Sequence, residues 1–90
     1  MQIKTKTYAV RRDASTEIVL EVPEYEAAVL AEIFGAECVR VEDKAGRPVD
    51  RDVDIEPARL VAKYGIEHVR AALGADYAEA VQAAMKKAKA

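Results

Sequence analysis

The strictest constraint on the fold is a period-two alternation at residues 17–22. Apolar side chains take every even position there, whereas glutamate takes two of the three odd positions. The apolar members are Ile18, Leu20 and Val22. This pattern is typical of a β-strand that buries one face and leaves the other in water. Residues 2–12 lie just upstream, across the short connection 13–15, so the chain is predicted to begin with a β-hairpin over 2–12 and 16–22.

The same alternation sets the register of the hairpin. If Arg12 lies opposite Thr16, apolar side chains meet apolar side chains, and Arg11 meets Glu17 on the outer face. The predicted apolar pairs are Val10 with Ile18 and Tyr8 with Leu20. A shift by one residue would set apolar side chains against glutamates, so the pattern disfavours it.

A helix is expected directly after this strand. Pro23 ends the strand and suits a first helical turn, where Glu24 and Glu26 complement the positive end of the helix dipole. The next apolar side chains recur at helical spacing and predict one apolar face. They are Tyr25, Val29, Leu30, Ile33 and Phe34. Gly35 is placed to end the helix, so we expect the helix to span 24–34. We also expect this helix to cover the sheet.

The remaining segments add one more strand, a short edge segment and helices. A third strand is predicted over 38–42, with Val39 and Val41 facing the core, and Pro48 places the segment that follows at a sheet edge. A short fourth strand is predicted from Val49, Val53 and Ile55. Three short helices are then expected over 57–64, 66–73 and 76–88.

The chain is therefore expected to form one α+β domain over residues 1–90. Ninety residues are too few for two separate cores. Residues 1–55 are predicted to form a small antiparallel sheet in ββαβ order, with the short fourth strand, covered by one helix. Residues 56–90 are predicted to form a helical portion of short C-terminal helices.

The chain carries few of the side chains that catalysis or metal binding requires. It has one histidine, His68, and one cysteine, Cys38. Neither stands at a spacing that indicates nucleophilic catalysis or a zinc site. We therefore assign no catalytic, cofactor-binding or metal-binding residues, expect no cofactor, and predict that the protein is not an enzyme.

Composition also predicts where the protein resides. A lone cysteine allows no internal disulfide, which fits a reducing compartment. The N-terminal region has no apolar signal core, and no apolar run approaches the roughly 20 residues that span a bilayer. A cytoplasmic protein without a membrane partner is expected.

Four carboxylates at alternate positions form the most suggestive polar motif. They are Asp50, Asp52, Asp54 and Glu56. An extended chain would project them to one side, and Ca²⁺ and Mg²⁺ bind oxygen clusters of that kind. The helix–loop–helix calcium pattern fails, because Ile55 stands where that loop needs glycine and Val61 where it needs glutamate. The pattern favours a solvated strand face, with Val49, Val53 and Ile55 turned inward. Cation binding is left open as the alternative.

Residues 57–73 provide a different alternative. Two predicted helices joined at Gly65 resemble the start of a DNA-binding helix-turn-helix, and Arg70 on the second helix is a residue type that contacts bases. The small-residue and anchor positions of that motif hold Val61 and Ala71, so the match is out of register. An isoelectric point near 5.4 also lacks the basic footprint of DNA-binding domains.

Residues 22–41 resemble small uncharacterised proteins that prophages and their bacterial hosts encode. The shared features are a helix start at Pro23 and Glu24, an apolar stripe, a stop at Gly35 and a short valine-containing strand. The resemblance implies a bacterial or prophage origin for the chain and implies no catalytic residues.

These observations predict a small non-enzymatic cytoplasmic accessory protein or protein-interaction module, and the resemblance implies that it is prophage-derived. Its expected partner is another protein or a second copy of the chain, because large apolar side chains are few and the core should be thin. The alternative is a nucleic-acid-binding regulator that uses residues 57–73.

Overall fold

The computed structural model describes residues 1–90 and confirms the α+β class. Its strands are β1 (Gln2–Ile3), β2 (Lys6–Arg11), β3 (Glu17–Val22), β4 (Val39–Ala45) and β5 (Val49–Asp50). Its α-helices are α1 (Glu24–Phe34), α2 (Glu56–Tyr64), α3 (Ile66–Leu73) and α4 (Tyr77–Lys87), with a 3-10 turn at Ala36–Cys38. One antiparallel sheet has the order β3-β2-β4, and β1 and β5 form a second. No helix has both the length and the apolar character needed to cross a membrane.

The hairpin of β2 and β3 has the predicted register. Val10 pairs with Ile18, Tyr8 with Leu20 and Arg11 with Glu17. The amide of Arg12 donates to the carbonyl of Thr16 at 2.9 Å, which closes the connection. Apolar patterning on both strands was therefore sufficient to align them.

The hydrophobic core has two parts that meet at α1. The part between the sheet and α1 contains Tyr8, Val10, Val22, Ala27 and Leu30. The part between α1 and the C-terminal helices contains Ile3, Tyr25, Val29, Leu60, Val69, Val81 and Met85. The fold thus has three layers, with the sheet and the C-terminal helices on opposite sides of α1.

The single apolar face predicted for α1 is wrong, because the helix has two. Leu30 and Phe34 pack toward the sheet, whereas Tyr25, Val29 and Ile33 pack in the helical layer. The C-terminal helices supply a second apolar surface, which the periodicity of α1 alone does not reveal. Gly35 ends the helix as predicted, with φ of 96° and its amide donating to the carbonyl of Ala31 at 2.8 Å.

The two ends of the chain meet in β-structure of their own. The strand predicted over 2–12 is interrupted after Ile3, and β1 pairs with β5 rather than with the hairpin sheet. Ile3 also bridges to Lys89, and the amide of Lys4 donates to the carbonyl of Ala88 at 2.7 Å. The end of α4 is therefore held against the start of the chain.

The predicted fourth strand is shorter than expected and belongs to the second sheet. Only Val49–Asp50 is a strand, and Val53 packs against the helical core from a turn. The predicted inward placement of Ile55 is wrong, because its side chain is 61% exposed. The chain turns at residues 53–55 and is not extended there.

The third predicted strand is present as β4, but it is less covered than expected. Val39 is half-buried, whereas Val41, which pairs with Tyr8, is 56% exposed. The register shifts between the Tyr8–Val41 and Lys6–Ala45 pairs, which marks a bulge in β4. The predicted burial of Val41 is therefore not found.

The turn after β4 folds back over the outer side of the hairpin sheet. The amide of Gly46 donates to the carbonyl of Thr5 at 3.2 Å, and the Thr5 hydroxyl donates to the carbonyl of Arg47 at 2.8 Å. The carboxylate of Glu21 accepts from the amide of Arg47 at 2.6 Å. A Cβ atom on Gly46 would lie 2.2 Å from Thr5 Oγ1, so this approach requires glycine.

Candidate functional site

Charged and aromatic side chains converge around two buried carboxylates, one on α1 and one on α2. We call this group the carboxylate cluster. Its members are Tyr25, Glu26, Arg51, Glu56, Arg59, Lys63 and Tyr64. Glu26 and Glu56 are each only 1% exposed, so both carboxylates need protein partners in place of water.

Glu26 of α1 accepts hydrogen bonds from three side chains of α2. Its Oε1 accepts from Nη2 of Arg59 at 2.6 Å. Its Oε2 accepts from the hydroxyl of Tyr64 at 2.5 Å and from Nζ of Lys63 at 3.2 Å. The first turn of α1 is therefore fixed to α2 through one side chain.

Glu56 begins α2 and shares its arginine with Glu26. Its Oε1 accepts from Nε of Arg59 at 2.5 Å, and its Oε2 accepts from Nη2 of Arg59 at 2.9 Å. The Tyr25 hydroxyl donates to the same Oε2. Nε of Arg51 lies 3.7 Å from Oε2 and makes no hydrogen bond. Arg59 thus neutralises charge on two buried carboxylates that belong to different helices.

Burial and hydrogen bonds shift the pKa values of four members of the cluster away from neutrality. Burial acts to raise the pKa of Glu26, but the hydrogen bonds from Tyr64 and Arg59 outweigh it and leave the pKa below its ordinary value. Burial raises the pKa of Tyr25 and of Tyr64, and their bonds to Glu56 and Glu26 raise it further. The hydrogen bond to Glu56 raises the pKa of Arg59. These four groups therefore each keep one protonation state across the neutral range.

The cluster is arranged to join two helices rather than to move a proton. A general acid or base works best with a pKa near the operating pH, and the shifts at Glu26, Tyr25 and Tyr64 lead away from it. Both carboxylates are also occupied by donors, so neither is open to a substrate. The geometry supports a structural role in holding α1 against α2.

Glu26 is predicted at the positive end of the helix dipole, and its burial is not predicted. A signal for it does exist, because Glu26 lies three, four and seven residues before Val29, Leu30 and Ile33. A charged residue on an apolar stripe indicates a buried partner. The partner Arg59 lies 33 residues away, and no spacing rule connects it to Glu26.

The four alternating carboxylates do not converge on one site. Asp50 pairs with the amino terminus at 2.9 Å, and Asp52 accepts from the amide of Asp54 at 2.8 Å. The expected exposure to solvent is found for the three aspartates, but only Asp50 lies in a strand, so they do not form one strand face. Glu56 turns inward to the carboxylate cluster, and its predicted exposure is wrong. No group of three or more histidine, cysteine, aspartate or glutamate side chains has an arrangement that holds a metal ion.

Residues 57–73 contain two helices around Gly65, as predicted. Val69 of α3 is buried in the helical core, whereas His68 and Arg70 are exposed. Lys63 of α2 is bonded to Glu26, which leaves fewer basic side chains for a nucleic acid. Contact between this segment and DNA stays a prediction.

A cavity of about 680 Å³ opens between the start of α1, the end of α4 and the link from β1 to β2. We call it the lysine-rimmed cavity. Its lining includes the apolar side chains of Tyr25, Ala28, Ala45, Leu73, Ala84 and Ala88. Lys4, Lys6 and Lys87 also line it, together with Glu24. Lys6 lies 3.4 Å from Glu24, whereas Lys4 and Lys87 form no ion pair.

The free edge of β3 is the other open feature of the molecule. β3 is the last strand of its sheet and pairs only with β2. Val19 in its middle is 63% exposed. Glu17 and Glu21 stand two residues to either side of Val19, on the same outer face. This edge therefore presents an exposed valine between two acidic side chains.

No family model, no curated protein and no solved structure matches the chain. The carboxylate cluster, the lysine-rimmed cavity and the edge of β3 are the features of the chain that bear on its function. The resemblance of residues 22–41 to prophage-encoded proteins stays a prediction.

Proposed function

We propose that the protein is a small non-enzymatic interaction module of the bacterial cytoplasm, of prophage origin, that binds another protein along β3. The partner supplies an extended segment that pairs with the free edge and adds a fourth strand to the hairpin sheet. The observation that carries this proposal is the regular, unpartnered edge of Glu17–Val22.

The two edges of the sheet differ in how well they accept a strand. All six residues of β3 pair with β2 without a register shift, and β3 contains no proline. β4 at the other edge contains a bulge and the charged run Glu42, Asp43 and Lys44. Bulges and edge lysines are devices that prevent strand addition, and β3 lacks both.

The charges on β3 indicate what kind of segment it accepts. A strand added beside it would place side chains opposite Glu17 and Glu21 on the outer face. Lysine or arginine there would pair favourably with Glu17, whose side chain is 47% exposed beside Arg40 at 3.6 Å, whereas Glu21 already accepts from the amide of Arg47. On the inner face Ile18 and Leu20 are half-buried and would gain apolar neighbours. We therefore expect a partner segment in which basic and apolar residues alternate.

The same charges disfavour a second copy of the chain at this edge. An antiparallel pairing of two β3 strands centred on Val19 would set Glu17 opposite Glu21 twice. Like charges directly opposite each other are destabilising. Another protein is therefore the better fit than self-association.

The absence of enzymatic activity is part of the proposal and has its own support. Glu26 and Glu56 are the most deeply buried carboxylates, and donors from Arg59 and two tyrosines occupy both of them. The pKa shifts move Glu26 and both tyrosines away from the neutral range. Such groups hold a fold together more readily than they exchange protons.

The test uses a labelled peptide in which lysine and valine alternate, with an otherwise identical glutamate–valine peptide for comparison. We expect the lysine–valine peptide to bind and the glutamate–valine peptide not to bind. The double variant Glu17→Lys with Val19→Lys should weaken it by about tenfold or more, because two cross-strand pairs are lost. The matched control is Glu42→Lys with Val41→Lys, which makes the same charge change on β4 and should bind as the unchanged protein does.

Equal weakening by both double variants would show binding through net charge and would overturn the edge proposal. Binding of both peptides, or of neither, would overturn it as well. Sizing of the protein without peptide is the second measurement. A dimer that only the Glu17→Lys, Val19→Lys variant abolishes would show that a second copy occupies β3 instead.

A further inference from the structure

The lysine-rimmed cavity has the composition of a ligand site. Its volume of about 680 Å³ falls in the range of roughly 300–1,000 Å³ that is typical of small-molecule sites. Its lining is mainly apolar, with Tyr25 and Leu73 as its largest apolar side chains and several alanines around them. An apolar body of a small molecule would replace water against this surface.

The charges at the cavity are not balanced. Glu24 compensates Lys6 at 3.4 Å, but Lys4 and Lys87 have no acidic partner. The local excess is positive on a chain whose net charge is −2. Charge complementarity therefore favours a ligand with a negative group held between these two lysines.

The walls of the cavity are held in place by contacts within the chain. The amide of Lys4 donates to the carbonyl of Ala88 at 2.7 Å, and Ile3 bridges to Lys89. The Tyr25 hydroxyl is bonded to buried Glu56, which fixes the ring that lines the cavity. A ligand that enters a preformed site loses less free energy to the ordering of the protein.

We propose that the lysine-rimmed cavity binds a single-chain amphipathic carboxylate, with its tail along the apolar lining and its carboxylate between Lys4 and Lys87. The cavity shares no residue with β3, so this site is independent of strand addition. A recessed cavity fits one detached chain better than the flat surface of a membrane. The test must therefore distinguish binding of a single amphipathic carboxylate from binding to a bilayer that carries anionic lipids.

The test measures binding of decanoate by calorimetry below its micelle concentration, on the full chain. Acetate has the head group alone, and decyltrimethylammonium has the tail with the opposite charge. We expect decanoate to bind and the other two to fail. Changing Lys4→Glu together with Lys87→Glu should weaken decanoate about tenfold or more, because two attractions become repulsions.

The matched control is Lys44→Glu with Lys86→Glu, which makes the same change in net charge at exposed positions that do not line the cavity. It should keep the affinity within about twofold, because Lys4 and Lys87 are retained and salt screens the exposed charges that change. A second blocking variant is Ala28→Leu, which projects into the cavity from an exposed helical position. It should also weaken decanoate while circular dichroism shows an unchanged fold.

Several results would overturn the site. One is that decyltrimethylammonium binds as tightly as decanoate. Another is that the Lys44→Glu, Lys86→Glu control loses as much decanoate affinity as the Lys4→Glu, Lys87→Glu variant. The third is that this cavity variant and Ala28→Leu both bind decanoate as the unchanged protein does. Binding to vesicles with anionic lipids but not to monomeric decanoate would assign the lysines to a membrane surface. Loss of peptide binding at β3 would leave this result untouched, so the two proposals fail separately.

Discussion

Arg59 donates a hydrogen bond from Nη2 to Oε1 of Glu26 at 2.6 Å, although 33 residues separate them in the chain. The contact joins α2 to α1, the helix that also packs on the hairpin sheet. Because Glu26 is 1% exposed, its charge depends on this partner for stability. The integrity of the fold therefore rests partly on a polar contact within an otherwise apolar layer.

Replacing Arg59 should be strongly destabilising. Arg59→Met keeps much of the apolar stem but leaves Glu26 and Glu56 without their shared guanidinium. We expect the free energy of unfolding to fall by about 3–5 kcal/mol, as when one member of a buried ion pair is removed. Chemical denaturation measures it.

Arg70→Met on the exposed side of α3 is the control and should change stability by less than about 0.5 kcal/mol. If both arginine variants shift the denaturation midpoint equally, the buried position of Arg59 has no special role.

Acid should destabilise the protein through Glu26. Its carboxyl has a pKa below the ordinary value of 4.5 in the folded state, since hydrogen bonds from Tyr64 and Arg59 favour the charged form. The unfolded chain therefore takes up this proton first as the pH falls below 4.5. Stability from Glu26 is present above that pH and is lost as the pH falls through the folded pKa.

Glu26→Gln removes this titration and should flatten the decline in unfolding free energy between about pH 5 and pH 2. Denaturant titrations across that range give the slope. Glu32→Gln, at an exposed position of the same helix, should leave the slope as it was. Identical slopes for the unchanged protein and Glu26→Gln would contradict the assignment.

Alkali should destabilise the protein through the half-buried Tyr64. Burial and the bond to Glu26 raise the pKa of Tyr64 above its ordinary value of 10.0, so the folded state keeps a proton that the unfolded chain releases. Stability from this group is complete below pH 10 and is lost as the pH rises from there through the folded pKa. Absorbance titration should show Tyr64 ionising only as the protein unfolds, and Tyr64→Phe should reduce the alkaline loss of stability.

Local patterns predicted the elements of this fold better than their assembly. The register of Val10 with Ile18 followed from strict alternation, because a slip would have exposed an entire apolar face. The stop at Gly35 followed from the conformational freedom of glycine. Both signals lie within a few residues of the feature that they determine.

Features made by distant residues were not predictable in this way. β1 pairs with β5 through only two residue pairs across almost fifty residues, which is too few for an alternation to indicate a partner. The second apolar face of α1 depends on helices that come later in the chain. The burial of Glu56 depends on hydrogen bonds from Tyr25 and Arg59. The alternating acidic residues around Glu56 instead predicted that its side chain is exposed.

A methyl group at Gly46 should disturb the turn that packs on the sheet. In Gly46→Ala the new Cβ would stand 2.2 Å from Thr5 Oγ1 and 3.0 Å from Cβ of Glu21. The turn must shift away and weaken the bonds of Arg47 to Thr5 and Glu21, for a loss of about 1–3 kcal/mol. Thermal unfolding measures the loss, and amide exchange at Arg47 should accelerate. A variant as stable as the unchanged protein would show that the turn moves freely.

A substitution that creates a void in the helical layer should show whether residues 1–90 unfold as one unit. Leu60 is fully buried among the helices, and Leu60→Ala should lower the free energy of unfolding by about 2–5 kcal/mol. α1 is shared by both parts of the core, so unfolding of the helices would uncover Val29 and remove the support of the sheet. We therefore expect amide protection to fall by the same free energy in β2 as in α4. Val19→Ala on the exposed sheet edge is the control, and it should change neither the free energy of unfolding nor the amide protection of β2 and α4. Loss of protection in α4 with β2 unchanged would instead divide the chain into two units near residue 55.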